Sequence, residues 1–134
     1  MSLFGFLSSK PKRYVSDEAY KGNVAKQVSM TPLTMIQLRK HGVVDTSMLK
    51  LEFFFYTNEA SKAASLADLL NGRGYAAKCG PSAHKKGIQV INGWTDRMQM
   101  SDAVVVAWTK AMCELGFAND CEFDGWGTNP KQSA

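Results

Sequence analysis

The clearest hydrophobic pattern in the chain is a two-residue alternation over residues 48–57, MLKLEFFFYT. One set of alternate positions is entirely apolar and consists of Leu49, Leu51, Phe53 and Phe55. The other set is half polar and half aromatic and consists of Lys50, Glu52, Phe54 and Tyr56. Such alternation is typical of a β-strand with one face on a hydrophobic core. We therefore expect the first face to pack on helices and the second to be partly solvated or covered by a partner.

Three other segments, one before this strand and two after it, show the spacing of amphipathic helices. In residues 59–71 Asn58 is the expected cap, and the apolar stripe consists of Ala63, Leu66, Ala67 and Leu70. In residues 101–116 Ser101 is the expected cap, and the apolar face consists of Val104, Ala107, Trp108, Ala111, Met112 and Leu115. A shorter helix is predicted over residues 31–41, where Thr31 can cap, Pro32 suits the first turn and Gly42 can end it. Its expected core positions are Leu33, Met35 and Ile36, with Leu38 flanking them.

Short strands are predicted at residues 75–79, 87–93 and 119–124, the first two pairing as a hairpin. From residue 48 the order is then β-α-β-β-α-β, which is the order of the ferredoxin-like fold. We predict an α+β domain over residues 48–130, with an antiparallel four-stranded sheet covered by both helices on one face and open on the other. Residues 21–47 would add an N-terminal helical segment, and residues 1–20 would form a mobile basic arm.

Composition indicates a soluble protein of one domain. The chain has 134 residues, of which 45% are hydrophobic and 21% charged. No apolar run approaches the roughly 20 residues that a membrane helix needs. The opening MSLFGFL has no basic residues before it and is too short for a secretory signal, so we expect a cytoplasmic protein. Three cysteines without a CxxC pair are typical of reduced thiols rather than of a disulfide framework.

The charge distribution weakens the case for nucleic-acid binding. Residues 1–47 hold seven Lys or Arg and three Asp or Glu, whereas residues 48–134 hold nine of each kind. Phe54 and Tyr56 would suit base stacking in an RNA-recognition module. In the matching third strand, KKGIQVING, Lys86 and Gly87 fit that module's motif, but Ile88 and Val90 replace its aromatic rings. An RNA-binding module therefore stays an alternative, and nucleic acid is not the expected partner.

No motif of catalytic or cofactor chemistry stands out. The chain lacks GxSxG, a phosphate loop and GxGxxG, and its two histidines are His41 and His84. A zinc site would have to gather Cys79, Cys113, Cys121 and His84 from distant segments, without the close spacing of usual ligands. Alternation would put Glu122 and Asp124 on one side of the last strand, where carboxylates are more often solvated than catalytic. We expect no catalytic residue, no metal and no cofactor.

The last patterned segment is CEFDGWG, residues 121–127. Gly125 and Gly127 would let the chain leave the strand through conformations that other residues avoid. Trp126 then has two possible roles. It closes the core while Asp124 caps the turn, or it stays partly exposed as an anchor for a partner, since Trp is enriched at binding hot spots.

The segments LRKHGV and LKLEFFFYT, followed by CEFDGWGTNP, resemble the regulator of ribonuclease activity B family, the protein inhibitors of ribonuclease E. The specific match is the run from Phe123 to Gly127. The resemblance implies a ferredoxin-like fold, no catalysis and regulation of RNA decay by binding the nuclease. We expect a protein partner, with Gly125 and Gly127 structural and the binding residues Phe54, Tyr56, Glu122, Asp124 and Trp126. The alternative is an immunity-type protein that masks a toxin by the same kind of surface.

Overall fold

The computed structural model describes residues 12–132, so residues 1–11 of the predicted arm lie outside the described part. Within that part the chain forms helices and antiparallel sheets, which confirms the predicted α+β class. The elements in chain order are α1 (Asp17–Lys40), β1 (Met48–Leu49), β2 (Glu52–Thr57), α2 (Ala60–Gly72), β3 (Ala76–Pro81), β4 (Gln89–Trp94), β5 (Met98–Gln99), α3 (Asp102–Ala118) and β6 (Glu122–Gly127).

The main sheet has four strands in the order β3-β4-β2-β6, and every neighbouring pair is antiparallel. The predicted hairpin is confirmed as β3 and β4. The predicted strand over residues 48–57 is divided, because β1 pairs with β5 in a separate two-stranded sheet and only β2 enters the main one. The predicted last strand over residues 119–124 begins and ends three residues later, at Glu122 and Gly127. β2 is therefore an inner strand, with β4 on one side and β6 on the other.

The apolar face of β2 lies in the core as predicted. Leu49, Leu51, Phe53 and Phe55 are all buried, together with the α2 stripe of Ala63, Leu66, Ala67 and Leu70. The predicted cap of α2 is wrong, since Glu59 occupies that position without capping and Asn58 instead accepts a bond from Lys62 Nζ at 3.0 Å.

The buried face of α3 is turned slightly from the predicted one. Ser101 caps the helix as expected, since its Oγ accepts a hydrogen bond from the Val104 N–H at 3.3 Å. Trp108 and Met112 are buried as predicted, but Val104, Ala107 and Ala111 are exposed. The positions buried in addition are Val105, Thr109, Cys113 and Gly116. The reason is that α1 packs along α3 and covers a second side of it, which includes Cys113 beside Asn23 of α1.

The first helix is much longer than the predicted one, because α1 begins at Asp17 and contains Pro32 in its interior. Ser16 caps it by accepting a bond from the Ala19 N–H at 3.1 Å, and Asp17 and Glu18 suit the positive end of the helix dipole. The helix therefore begins within the segment that the sequence assigned to the arm, at Asp17. A proline removes one helical hydrogen bond, yet α1 continues through Pro32 and packs along α3.

Half of the buried positions of α1 are polar, which explains why the hydrophobic pattern does not reveal the first half of the helix. Gln27 and Thr31 are buried alongside Met35 and Leu38. Thr31 Oγ1 donates to the Gln27 carbonyl at 2.8 Å, and the nearby Asn23 Nδ2 donates to the Phe123 carbonyl at 2.8 Å. The expectation that Leu33 and Ile36 face the core is wrong, since both are exposed on the opposite side of the helix.

The segment before α1 is held by the carboxylate of Asp120. This carboxylate accepts hydrogen bonds from the N–H groups of Tyr14 and Val15 at 2.8–2.9 Å and pairs with Lys62 Nζ at 2.8 Å. Arg13 adds a longer ion pair at 3.6 Å. Burial by itself would raise the pKa of Asp120, but the bonds from Lys62 and the two backbone N–H groups outweigh it and lower that pKa. The chain between residues 13 and 15 is thereby fixed to the start of β6.

Candidate protein-binding surface

The second face of β2 forms the middle of a surface that we call the open face. Strand register places neighbouring positions on it: Trp94, Asn92 and Val90 of β4 lie opposite Glu52, Phe54 and Tyr56 of β2. Lys78 of β3 lies opposite Asn92, and Glu122 of β6 lies opposite Tyr56. The open face is therefore defined by Glu52, Phe54, Tyr56, Lys78, Val90, Asn92, Trp94 and Glu122. Its residues retain partial or full exposure, whereas the reverse face of β2 is buried.

Trp94 is a member of the open face that sequence reasoning missed. Its side chain is 38% exposed, and it lies one residue beyond the predicted end of the strand. The sequence does contain a signal for it, because Val90, Asn92 and Trp94 are alternate residues of QVINGW and would lie on one face of a strand. The pairing of Trp94 with Glu52 depends on strand register, which the sequence did not fix. The face thus carries three partly exposed aromatic side chains, those of Phe54, Tyr56 and Trp94.

Two adjoining grooves cross the open face. One has a volume of about 490 Å³ and is lined by Phe54, Tyr56, His84 and the β3 residues around Lys78. The other, of about 480 Å³, is lined by Glu52 and Trp94. Both share Lys78 and Asn92, so they form one continuous furrow. Aromatic rings beside mixed polar groups are what protein interfaces enrich.

A β-bulge interrupts β6 at Asp124. Phe55 pairs with Phe123 and Phe54 pairs with Gly125, so Asp124 is an extra residue between two paired ones. Glu122 and Asp124 were expected on one side of the strand because side chains of a regular strand alternate. The bulge breaks this alternation within residues 121–127. The bulge shifts the next residue by one position, so that Trp126 lies opposite the buried Phe53 instead of sharing the side of Glu122.

Trp126 packs against both helices without being fully buried. Its Nε1 donates to Thr31 Oγ1 of α1 at 3.3 Å, and its ring lies edge-on to Trp108 of α3 at a centroid distance of 6.4 Å. The side chain is still only partly buried. It also lines a smaller groove of about 240 Å³ with Phe54, Asp124 and Met30. Trp126 therefore joins both helices to β6 while part of its ring stays accessible from this groove.

Replacing Gly125 with alanine tests the bulge. Gly125 has a φ of 137°, a backbone conformation that L residues rarely adopt. We expect Gly125→Ala to lower the free energy of unfolding by about 2 kcal/mol and to red-shift the tryptophan emission as Trp126 is displaced. The matched control is Gly127→Ala in the same strand, where an added Cβ meets nothing within 4 Å. Equal effects of the two substitutions in urea denaturation would show that the bulge does not require glycine.

Charge is distributed unevenly around the open face. Acidic groups lie along β6, and burial raises the pKa of Asp124 although the nearby Lys26 opposes this rise. Burial and the charge of Glu122 likewise raise the pKa of Tyr14, which lines a further groove with Tyr56 and Glu122. Lys78 lies on β3, whereas Lys85 lines the same groove as Glu122. The β6 edge of the face thus carries carboxylates, with one lysine beside Glu122 and another on β3.

The remaining candidates from the sequence are not gathered into a site. His41 Nδ1 lies 3.0 Å from the Gln37 carbonyl, and Cys79 is exposed on β3. Burial raises the pKa of both Cys113 and Cys121 to about 11. Within residues 12–132 no cluster of His, Cys, Asp and Glu is arranged to hold a metal ion. In the same residues, no helix is both long and apolar enough to cross a membrane.

A protein-family model described as Regulator of ribonuclease activity B matches residues 31–128. The match spans the second half of α1 and continues through the bulge and Gly127, so it includes every residue of the open face. No curated protein matches the chain.

Proposed function

The chain belongs to the regulator of ribonuclease activity B family, and on this basis we propose that it is a non-catalytic cytoplasmic protein that binds a ribonuclease and masks it. The family supplies the class of partner, an enzyme of RNA decay, and the open face supplies the binding surface. The main-sheet order β3-β4-β2-β6 supports the ferredoxin-like description of the domain, as does the β-α-β-β-α-β succession that remains from β2 onward when β5 of the two-stranded sheet is left out.

The observation that carries this proposal is the row of partly exposed rings on the open face. Phe54, Tyr56 and Trp94 lie on adjacent strands along one furrow. Large aromatic side chains of this kind act as anchors, because they bury much area and lose little rotamer freedom on binding. These three side chains lie on the face of the sheet that points away from the hydrophobic core, so the core does not depend on them.

The acidic edge of the open face fits the chemistry of a nuclease. An enzyme that holds RNA must present cationic groups to the phosphates. Glu122 and Asp124 offer carboxylates to such groups along β6. In the proposed mechanism the aromatic rings supply the contact area and the acidic edge pairs with cations that otherwise contact RNA. Cleavage then falls because the RNA path on the enzyme is obstructed.

An inhibition assay with purified ribonuclease E tests this proposal. We expect the double variant Phe54→Ala, Tyr56→Ala to need at least about tenfold more protein for half-inhibition, since each ring would contribute 1 kcal/mol or more to binding. Both side chains are partly exposed, so the fold should be retained. Leu69→Ala is the matched control, because Leu69 is an exposed apolar residue of α2 on the other side of the sheet. Undiminished inhibition by the double variant would contradict the role of the open face.

Trp94 favours one second candidate, which is binding to single-stranded RNA. It supplies a ring on the third strand of the domain that the sequence pattern lacked, next to Lys78. The same assay separates the two functions when RNA is in large molar excess over the chain. Sequestration of RNA then leaves cleavage unchanged, whereas binding to the nuclease still inhibits it.

A further inference from the structure

The outer side of α1 carries an exposed apolar strip that the open face does not include. We call Met30, Leu33 and Ile36 the α1 strip, and their side chains are 47%, 62% and 52% exposed. Their spacing of three residues turns them away from the buried Gln27, Thr31 and Leu38. Exposed apolar side chains grouped on one side of a helix are candidates for an interaction site.

Two lysines bracket the α1 strip along the helix axis. Lys26 and Lys40 each lie seven residues from Leu33, which places them two turns before and after it on the same side of the helix. Both are exposed, and no carboxylate in residues 12–132 lies within 4.0 Å of either ammonium group, although Asp124 interacts with Lys26 over a longer distance. The strip is thus an apolar centre with a positive charge at each end.

This charge pattern disfavours a second copy of the chain as the occupant. A two-fold symmetric pair of α1 helices centred on Leu33 would bring Lys40 of one copy next to Lys26 of the other, at both ends of the contact. Like charges placed opposite each other oppose association. The complementary occupant is a helix with an apolar centre and a carboxylate about seven residues to each side.

We propose that the α1 strip binds an amphipathic helix of a partner protein whose apolar stripe is flanked at both ends by Asp or Glu. Recognition of an amphipathic helix by an apolar surface uses anchors at the same helical spacing. Met30 also lines the small groove that holds Phe54 and Trp126, so the α1 strip is continuous with the open face. The inference rests on the proposed function in one respect, namely that the chain acts by binding a protein.

Two synthetic peptides of about 21 residues test the proposal by fluorescence anisotropy with the full chain at low salt. Both peptides have the same Leu/Ile stripe. The Glu peptide has a Glu seven residues before and seven residues after its centre, and the Lys peptide has Lys at the same two positions. We expect the Glu peptide to bind at least about tenfold more tightly. The double variant Lys26→Glu, Lys40→Glu should reverse this preference. Leu33→Asp should remove binding of both peptides, whereas Leu69→Asp on α2 should leave it unchanged.

Equal affinity for the two peptides, or binding of neither, would overturn the proposal. A concentration-dependent dimer that Leu33→Asp abolishes would also overturn it, because the occupant would then be a second copy. The proposal would also be overturned if vesicles with anionic lipid bound the chain through Leu33 while the Glu peptide failed to bind. The peptide assay contains no ribonuclease, and the inhibition assay leaves Leu33 and both lysines unchanged. A negative result in one assay is therefore distinguishable from a negative result in the other.

Discussion

Gly93→Ala is expected to lower the free energy of unfolding by about 3 kcal/mol, the upper range for overpacking, because the new methyl group collides with backbone. Gly93 lies in β4 between Ala77 of β3 and Phe53 of β2. A Cβ added there would come within 2.0 Å of the Ala76 carbonyl oxygen and 2.8 Å of the Ala77 Cα. A flexible side chain could move aside, but a paired strand can yield only by giving up its pairing. The loss corresponds to a fall of roughly 10 °C in the midpoint of thermal unfolding.

Gly80→Ala is the control for this substitution. Gly80 lies in β3 of the same sheet, and an added Cβ there meets nothing within 4 Å. We expect its free energy of unfolding to stay within about 0.5 kcal/mol of the wild-type value. Denaturation by urea followed by circular dichroism measures both variants. Equal stability of the two would contradict the close approach of β3 and β4 at Gly93.

Asp120→Asn is expected to lower the free energy of unfolding by about 2 kcal/mol at neutral pH, since hydrogen bonds to a charged group are being weakened. The substitution keeps the shape of the side chain, and Asn tolerates the φ of 55° at this position. It removes the charge that pairs with Lys62 and accepts from the N–H groups of Tyr14 and Val15. Asp45→Asn is the control, because Asp45 pairs with Arg39 but its side chain is 75% exposed. Such an exposed pair contributes at most about 1 kcal/mol.

The pH dependence gives this prediction a second readout. The folded state lowers the pKa of Asp120, so its charge stabilises the fold fully above the unfolded pKa of about 3.9 and progressively less as the pH falls toward the folded pKa. The difference in stability between wild type and Asp120→Asn should therefore narrow below about pH 4. A difference that stays constant on acidification would show that the charge of Asp120 is not what holds residues 13–15.

Local patterns predicted the centre of the fold well. The strict alternation around Phe53 and Phe55 identified the buried face of β2, and the stripe around Leu66 identified that of α2. In both cases apolar side chains follow the period of the element, so the pattern in the sequence is the pattern of burial. The family resemblance, carried mainly by the run from Phe123 to Gly127, was confirmed by the match over residues 31–128.

Features that depend on contacts between distant segments were not predictable in the same way. α1 was predicted too short because its buried positions include Gln27 and Thr31, whose burial requires partners elsewhere. The bulge at Asp124 depends on register with β2, and it determines which way Trp126 points. Trp94 was missed for a related reason, since its place on the open face follows from its pairing with Glu52.

Oxidative footprinting of the chain with and without ribonuclease E tests the docking claim most directly, because it reports the accessibility of individual side chains. Tyr56 and Trp94 lie on the open face, whereas Tyr75 packs against Phe53 on the core side and serves as an internal reference. We predict that bound ribonuclease lowers the oxidation rates of Tyr56 and Trp94 and leaves that of Tyr75 unchanged. Full inhibition of the enzyme with unchanged oxidation of Tyr56 and Trp94 would contradict the account.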